Sequence, residues 1–561
     1  MIGFPSPASI QADPAWPRRR SAPVLARNGM VAAAHPLITA TGVGVLARGG
    51  NAVDAAVAAA LTAGVVMPEM CGIGGDIFAI VHAPGRAGTA GVTTAVHGSG
   101  IAPRAASIDL MREHGDEGGT RMPYQGPLSV AVPGMLDACF SLLEHFGSRL
   151  FAEVVEPAIG YAADGFPLGP QGAAAIQDSA DVLRRVPASA AVFVPADRAL
   201  GVGSLLRQPD LARTLGEIAT GGVDRFYRGD LAQRIAAAVN ELGGALSVDD
   251  LADHATELTE PLTTTYRDYT IAATGLPSQG LILLEALNIV EHGTLDGPSL
   301  ETAMGIHTLV ESYKMAVADR LGYAGDPAFV DTPLATLLGK EWAARRFTGI
   351  DPARAATDVP AAPLEDGDTT YICVVDGAGM MVSLITSLSS AFGSGVVAGN
   401  TGVTLNNRAG RGFSLEPGHP NLYAPGKKTM HTLHCYLVSG ADGSPLLVGG
   451  TPGGDGQPQW NLQVLASLID GGHDVQAAVE APRWTSWPST DPSTLPHPYE
   501  LRVEERASAE TLRELALRGH DVRRQGSWSA GGAAQLIARD PETGALAGGS
   551  DPRAEGLAVG F

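Results

Sequence analysis

No window of this 561-residue chain approaches 18 consecutive apolar residues, so no membrane-spanning helix is expected. The N-terminal stretch "MIGFPSPASIQADPAWPRRRSAPVLARNG" has prolines and three successive arginines but no apolar core of a secretory signal, which predicts a cytoplasmic location. Cysteine is scarce. Cys71, Cys139, Cys373 and Cys435 are far apart and form no CxxC pair, which argues against a disulfide framework or a zinc site and fits reduced thiols. Positive charge is also short, with 38 Lys and Arg against 59 Asp and Glu. The resulting net charge of −21 argues against nucleic acid or an anionic membrane surface as partner. GxSxG, HExxH and Walker-type motifs are absent, and "GIGGD" (72–76) is not a GxGxxG dinucleotide fingerprint. The 14 histidines are scattered. His431 and His434 lie three apart in "TMHTLHC", but no third metal ligand can be assigned, so they read as loop or core histidines.

What is present is a chain long enough for several domains or a few large ones, with an ordinary 45% hydrophobic content. Residues 30–66 read as one or two Ala-rich helices broken at "RGGN", and helical patterns dominate 134–165, 208–242 and 299–321. Strands are expected near 80 and 270 and again after 369. Between the end of the helix at "WAARRFTGI" and Asp368 the chain has prolines, acidic residues and no periodic apolar face, which reads as a domain linker or a functional loop.

A strand-rich segment then begins abruptly at Thr369 and Thr370. If Gly377–Gly379 form a three-residue turn, Asp376 faces Met380, and stepping back along the hairpin sets Thr369 opposite Ser387. Directly opposed residues have Cβ atoms about 4.5–5.5 Å apart, so the two hydroxyls can meet, although a Thr–Ser pair is also an ordinary sheet feature. A threonine hydroxyl is a poor nucleophile without a base beside it. Were the chain cut before Thr369, the new α-amino group, with an unperturbed pKa of roughly 7.7–8.0, would be that base. The β-branched side chain would hold the hydroxyl in place, and Ser387 could orient it. "GGTPGGDGQPQWNLQVL" (449–465) offers Gly453 and Gly454 before a helix-like run, either as an oxyanion hole or as an ordinary turn.

Six segments, in order, resemble the γ-glutamyltransferase family of N-terminal-nucleophile hydrolases. They are "GGNAVDAAVAAALTAGVVMPEMCGIGGDIFAIV", "VAVPGMLDACF", "LPSQGLILLEALNIVE", "ADRLGYAGDPAFVDTPLATLL", "DTTYICVVDGAGMMVSLITSLSSAFGSGVVAGNTGVTLNNRAGRGFS" and "GGTPGGDGQPQ". The resemblance implies an α+β fold, a four-layer αββα sandwich. It implies autocatalytic cleavage between Asp368 and Thr369, giving a large subunit (1–368, with a processing loop at about 347–368) and a small one (369–561). It also implies Thr369 as nucleophile, Ser387 as its hydroxyl partner, Gly453 and Gly454 as oxyanion donors, and no metal or organic cofactor. The two subunits of one precursor are then each other's partners, and processed heterodimers could associate further.

The departures from the family pattern bear on substrate. Ser99 or Gly98, in "HGSGIAP", stands where the family has an arginine for the substrate α-carboxylate. Gly410 and Arg411, in "NNRAGRGF", stand where it has an acidic residue for the α-amino group. Ser389 replaces a head-binding asparagine, and His431 and Thr432 replace paired serines. "GSG-x-AP", "NNR", "SLEPGHPN" and "TPGGDGQPQ" resemble the subgroup holding oxamate amidohydrolases and cephalosporin-acylase-like proteins. The expected function is amide cleavage through an acyl-threonine, on a small-molecule amide whose acyl part lacks the γ-glutamyl α-amino head. Arg408 or Arg411 is either the anion partner of that acyl part or a solvated surface charge. The alternatives are a true γ-glutamyl hydrolase or transferase and a non-catalytic binding protein on the same scaffold.

Overall fold

The computed structural model describes residues 21–85, 91–357, 369–488 and 498–561. The N-terminal arginines, Asp368 and the last part of the processing loop lie outside the described residues.

Alternation of side chains along the strands builds the layers. In Thr370–Asp376 and Met381–Ser387 every residue is buried, so both faces of this hairpin must be covered. One face, with Ile372, Val374, Val382 and Leu384, packs with Ile77, Ala79 and Val81 against the Pro36–Ala47 and Ala52–Val66 helices. The other, with Tyr371, Cys373, Val375, Met381 and Ile385, meets Leu433, Cys435, Leu437, Val448 and Ile537 of a second sheet. That second sheet turns Tyr436, Val438, Leu447 and Leu536 outward onto the Gly280–Val290, Ala303–Tyr323 and Gln457–Ile469 helices. The result is the expected α+β arrangement of four layers, helix–sheet–sheet–helix, with an apolar core between the sheets.

Among the described residues, each of the two main sheets has seven strands. The first runs, edge to edge, Leu557–Gly560, Gly29–Ala33, Thr370–Asp376, Met381–Ser387, Asp76–Ala83, Val92–Gly98 and Glu257–Thr259. The second runs Val24–Ala26, Leu546–Ser550, Gln535–Arg539, Pro445–Gly450, Tyr436–Ser439, Tyr269–Ala273 and Leu262–Tyr266. The first sheet therefore takes its centre from the segment after Thr369 and most of its flanks from before it.

The hairpin has the register expected from its turn. Thr370 pairs with Thr386 and Val375 with Met381, so Thr369 falls opposite Ser387 one step beyond the ladder. Residues 30–33 depart from expectation. They form a strand, Gly29–Ala33, between Thr370–Asp376 and Leu557–Gly560, because pairing on both edges overrides the helix preference of three successive alanines. The break at "RGGN" is where it was expected, and Asn51 opens the next helix with a capping box to Asp54.

Beyond Thr348 the chain has no helix or strand up to Thr357, yet it is held in place. Ala355 N–H donates to Arg518 O at 2.7 Å, Ala356 N–H to Glu311 at 3.1 Å, and Lys314 Nζ to Ala356 O at 3.0 Å.

Candidate active site

The registers of three strand pairs align four polar residues across one end of the first sheet. Thr369 faces Ser387, Ser387 pairs with Asp76, and the step beyond Ile77–Gly98 sets Asp76 beside Ser99. By parity all four point to the side of Tyr371, Ile385 and Phe78, into the space between the sheets. They are almost wholly buried, at 1%, 0%, 0% and 1% exposure, where apolar residues would be the default.

Thr369 Oγ1 donates to Ser387 Oγ at 3.3 Å, and Ser387 Oγ accepts from Ser389 N–H at 2.7 Å. Ser389 has a φ of 92°, a region that costs a residue with a Cβ about 1–3 kcal/mol unless its surroundings impose it. Arg411 helps impose it, donating from Nη1 to Ser389 O at 3.1 Å and from Nη2 to Asp455 at 2.6 Å. One network thus joins Thr369, Ser387, Ser389, Arg411 and Asp455, the last being the neighbour of Gly454.

Gly453 and Gly454 form the turn from the Pro445–Gly450 strand into the Gln457–Ile469 helix, with φ of 116° and 51°. A Cβ on Gly453 would lie 2.1 Å from the Trp460 ring, so the turn needs glycine for space as well as for conformation. Gln279 Nε2 donates to Gly454 O at 2.9 Å and also to Thr432 O, tying the glycine turn to the loop before Leu433.

That loop supplies the second network. Asp76 Oδ2 accepts from Arg408 Nε at 3.2 Å and from His431 Nε2 at 3.1 Å, and Arg408 Nη1 reaches Thr432 Oγ1 at 3.4 Å. Burial pushes the Arg408 guanidinium down to about 10, which leaves it charged at neutral pH. Burial, reinforced by the Arg408 charge, pushes His431 down to about 4, so its ring is neutral. Because Nε2 donates to Asp76, His431 Nδ1 is an acceptor. Several atoms here are buried without a hydrogen-bond partner: Asp76 Oδ1, Arg408 Nη2, His431 Nδ1 and Ser99 Oγ. Ser389 Oγ is a fifth.

A cleft of about 860 Å³, lined by Tyr124, Arg320, Arg411, Phe413 and Asn421 among others, reaches this region through Arg411. Both arginines are buried, at 2% and 3% exposure, which removes the solvated surface charge from the two alternatives the sequence leaves open. Each already holds a carboxylate, Arg408 that of Asp76 and Arg411 that of Asp455.

The structure brings together Thr369, Ser387, Ser389 and Arg411 in one network and Arg408, His431 and Thr432 in the other. Ser99 is placed beside Asp76 by register alone. Asp76, Gln279 and Asp455 were not read from the sequence as site residues. Asp76 did leave a signal: a carboxylate opens "DIFAIVHA" at an inward position of an otherwise apolar strand.

Elsewhere, His307, Glu311 and His520 bring possible metal-donor atoms within 4.8 Å of one another. His307 Nδ1 and His520 Nε2 already share a 2.9 Å hydrogen bond and Glu311 accepts from Lys314 at 2.8 Å, so the group reads as the clamp on residues 351–356.

Residues 39–561 match the model of the gamma-glutamyltranspeptidase family. The chain is 36% identical to the glutathione hydrolase-like YwrD proenzyme of Bacillus subtilis, covering 96% of this chain and 99% of that one. It is 35% identical to the oxamate amidohydrolase proenzyme of Klebsiella pneumoniae, over 95% and 98% of the two chains. Among solved structures, cephalosporin acylase from Bacillus halodurans superposes with a TM-score of 0.88, at 34% identity and 99% coverage of both chains.

Proposed function

The chain belongs to the gamma-glutamyltranspeptidase family, and on that premise we propose that it is a self-processing threonine amidohydrolase. The observation that carries this reading is the contact between Thr369 Oγ1 and Ser387 Oγ at the residue just before a central strand, in a network that runs through Ser389 and Arg411 to Asp455 beside the two-glycine turn.

Processing begins when Thr369 Oγ attacks the Asp368 carbonyl carbon. The C–N bond breaks as the proton passes to nitrogen, leaving an ester between Asp368 and Thr369 and a free α-amine. Water hydrolyses the ester, and the chain becomes a 1–368 subunit and a 369–561 subunit. In turnover the same hydroxyl attacks the substrate carbonyl while the α-amine takes its proton and later gives it to the leaving amine. Gly453 and Gly454 N–H groups stabilise the tetrahedral oxyanion, and Ser387 keeps the hydroxyl oriented. Water then releases the acyl group. No step calls on a metal or an organic cofactor.

The acyl part lacks an α-ammonium. Supporting this, a buried arginine occupies the Gly410–Arg411 segment, and its guanidinium is engaged by Asp455 and Ser389 O. A γ-glutamyl acyl group is the second reading, favoured by the 36% identity to a glutathione hydrolase-like relative. Incubating the processed enzyme with a slow amide and quenching in acid tests the chemistry. The expected result is an acyl mass added to the small subunit at Thr369 and absent from Thr369→Ala; an adduct elsewhere, or none under turnover, overturns the reading.

A further inference from the structure

We infer that Asp76, Arg408 and His431 form a subsite for the far end of the acyl group, selective for an uncharged head that both donates and accepts hydrogen bonds, as a terminal primary carboxamide does. The inference rests on the amidohydrolase reading above and deepens it.

Position comes first. Asp76 stands on the strand next but one to Thr369, in the same cross-strand row. Strands are about 4.7–4.9 Å apart, so the two backbones are separated by about 9–10 Å. After an approach of about 3 Å at the reacting carbon and a hydrogen bond of about 3 Å at the head, two or three methylenes is the acyl length that bridges them.

Chemistry comes second. Asp76 Oδ1, Arg408 Nη2 and His431 Nδ1 are buried polar atoms without partners, and buried polar groups in folded proteins are nearly always paired by protein, water or ligand. Oδ1 and Nδ1 are acceptors, and Nη2 is a donor. A primary carboxamide matches this set, with two N–H groups for the acceptors and a C=O for the guanidinium.

Charge comes third. Asp76 and Arg408 neutralise each other through the Nε–Oδ2 contact. A carboxylate head would gain one donor but face two acceptors. An α-amino acid head would have to desolvate two charges against partners that already compensate each other, which burial rarely repays. The neutral head meets neither penalty.

The test compares four p-nitroanilides on the processed enzyme: glutaramyl (carboxamide head), glutaryl (carboxylate head), γ-glutamyl (zwitterionic head) and pentanoyl (apolar head). The expected kcat/KM for glutaramyl exceeds each of the others by at least about tenfold, one well-placed neutral hydrogen-bonding head being worth about that much. In Asp76→Asn the site becomes net positive, and the glutaryl-to-glutaramyl ratio should rise about tenfold or more, a shift in preference that a general loss of folding would not produce. Glutaryl or γ-glutamyl equalling glutaramyl in the wild type, or four equal rates, overturns the inference. So does no cleavage of any anilide by correctly processed enzyme. Cleavage that depends on Thr369 but shows no head preference removes the subsite and leaves the amidohydrolase standing.

Discussion

Glu504 and Asp551 lie as deep in the protein as Asp76, and all three carboxylates face arginines. Around the first two every oxygen is filled. Glu504 Oε1 accepts from Arg553 Nε and Ala530 N–H, and Oε2 from Arg506, Arg553 and Arg483 N–H. Asp551 Oδ1 takes two donors from Arg553, and Oδ2 takes Arg483 and Ala534 N–H. Asp76 has one oxygen bonded twice and the other not at all. Carboxylates filled on both oxygens in this way fix packing. A half-filled one, beside two hydroxyls in register, marks where a substrate completes the bonding.

The largest expected effect follows from breaking the Glu504–Asp551 cluster. Glu504→Ala leaves three arginines sharing only Asp551 and should cost about 3–5 kcal/mol of stability. Asp76→Asn leaves the buried Arg408 without its countercharge but keeps an oxygen for Arg408 and His431, and strands one arginine instead of three, so it should cost less than Glu504→Ala. Denaturant unfolding of the two variants checks the order, and a reversal would make Asp76 the structural residue.

Ser387→Ala sharpens the contrast from the catalytic side. It removes the partner of the Thr369 hydroxyl and of Ser389 N–H while deleting little volume. The expected result is a kcat of the processed enzyme lowered about 100-fold, roughly 2.7 kcal/mol, with stability lowered by about 1–3 kcal/mol because Ser389 N–H loses its acceptor. Single-turnover kinetics beside thermal unfolding would separate the two effects.

The last contrast is the response to acid. Burial lowers His431 to about 4 and His434 to about 3, against about 6.5 in an unfolded chain. As pH falls below about 6.5 the unfolded chain binds protons that the folded one refuses, so stability declines from there towards pH 4. At Glu504 burial alone would raise the carboxyl, but hydrogen bonding and charge from Arg553, with Arg506, outweigh it and hold the group at about 2. Its contribution is therefore complete above about 4.5 and is lost only as pH falls from there towards 2. A melting temperature that falls steadily between pH 6.5 and 4.5 is expected. A flat profile there would contradict a neutral, buried His431 and remove one acceptor from the proposed subsite.

How much of this was legible beforehand depended on whether local pattern and tertiary contact agreed. The hairpin was legible because "GAG" sets the turn, the turn sets the register, and the register sets Thr369 against Ser387. The glycine turn was legible as a position, but its reason, the Trp460 ring against Gly453, lay seven residues on and across a bend. Residues 30–33 were misread because alanine favours helix until two neighbouring strands claim both its edges. Arg408 and Arg411 are ambiguous in sequence because the helix that carries them, Arg408–Gly412, is only five residues long and shows no periodicity to say which side faces inward. Asp76 is hidden in "GIGGD", which looks like a fragment of a nucleotide motif, while its aspartate begins an inward-facing apolar strand.

The most direct test of the central claim is intact mass and N-terminal sequencing of the purified chain beside Thr369→Ala. The account predicts two fragments, the smaller beginning at Thr369, and a single uncut chain in the variant. A wild-type chain that stays whole, or one cut at another bond, would leave Thr369 without its amine base and contradict it.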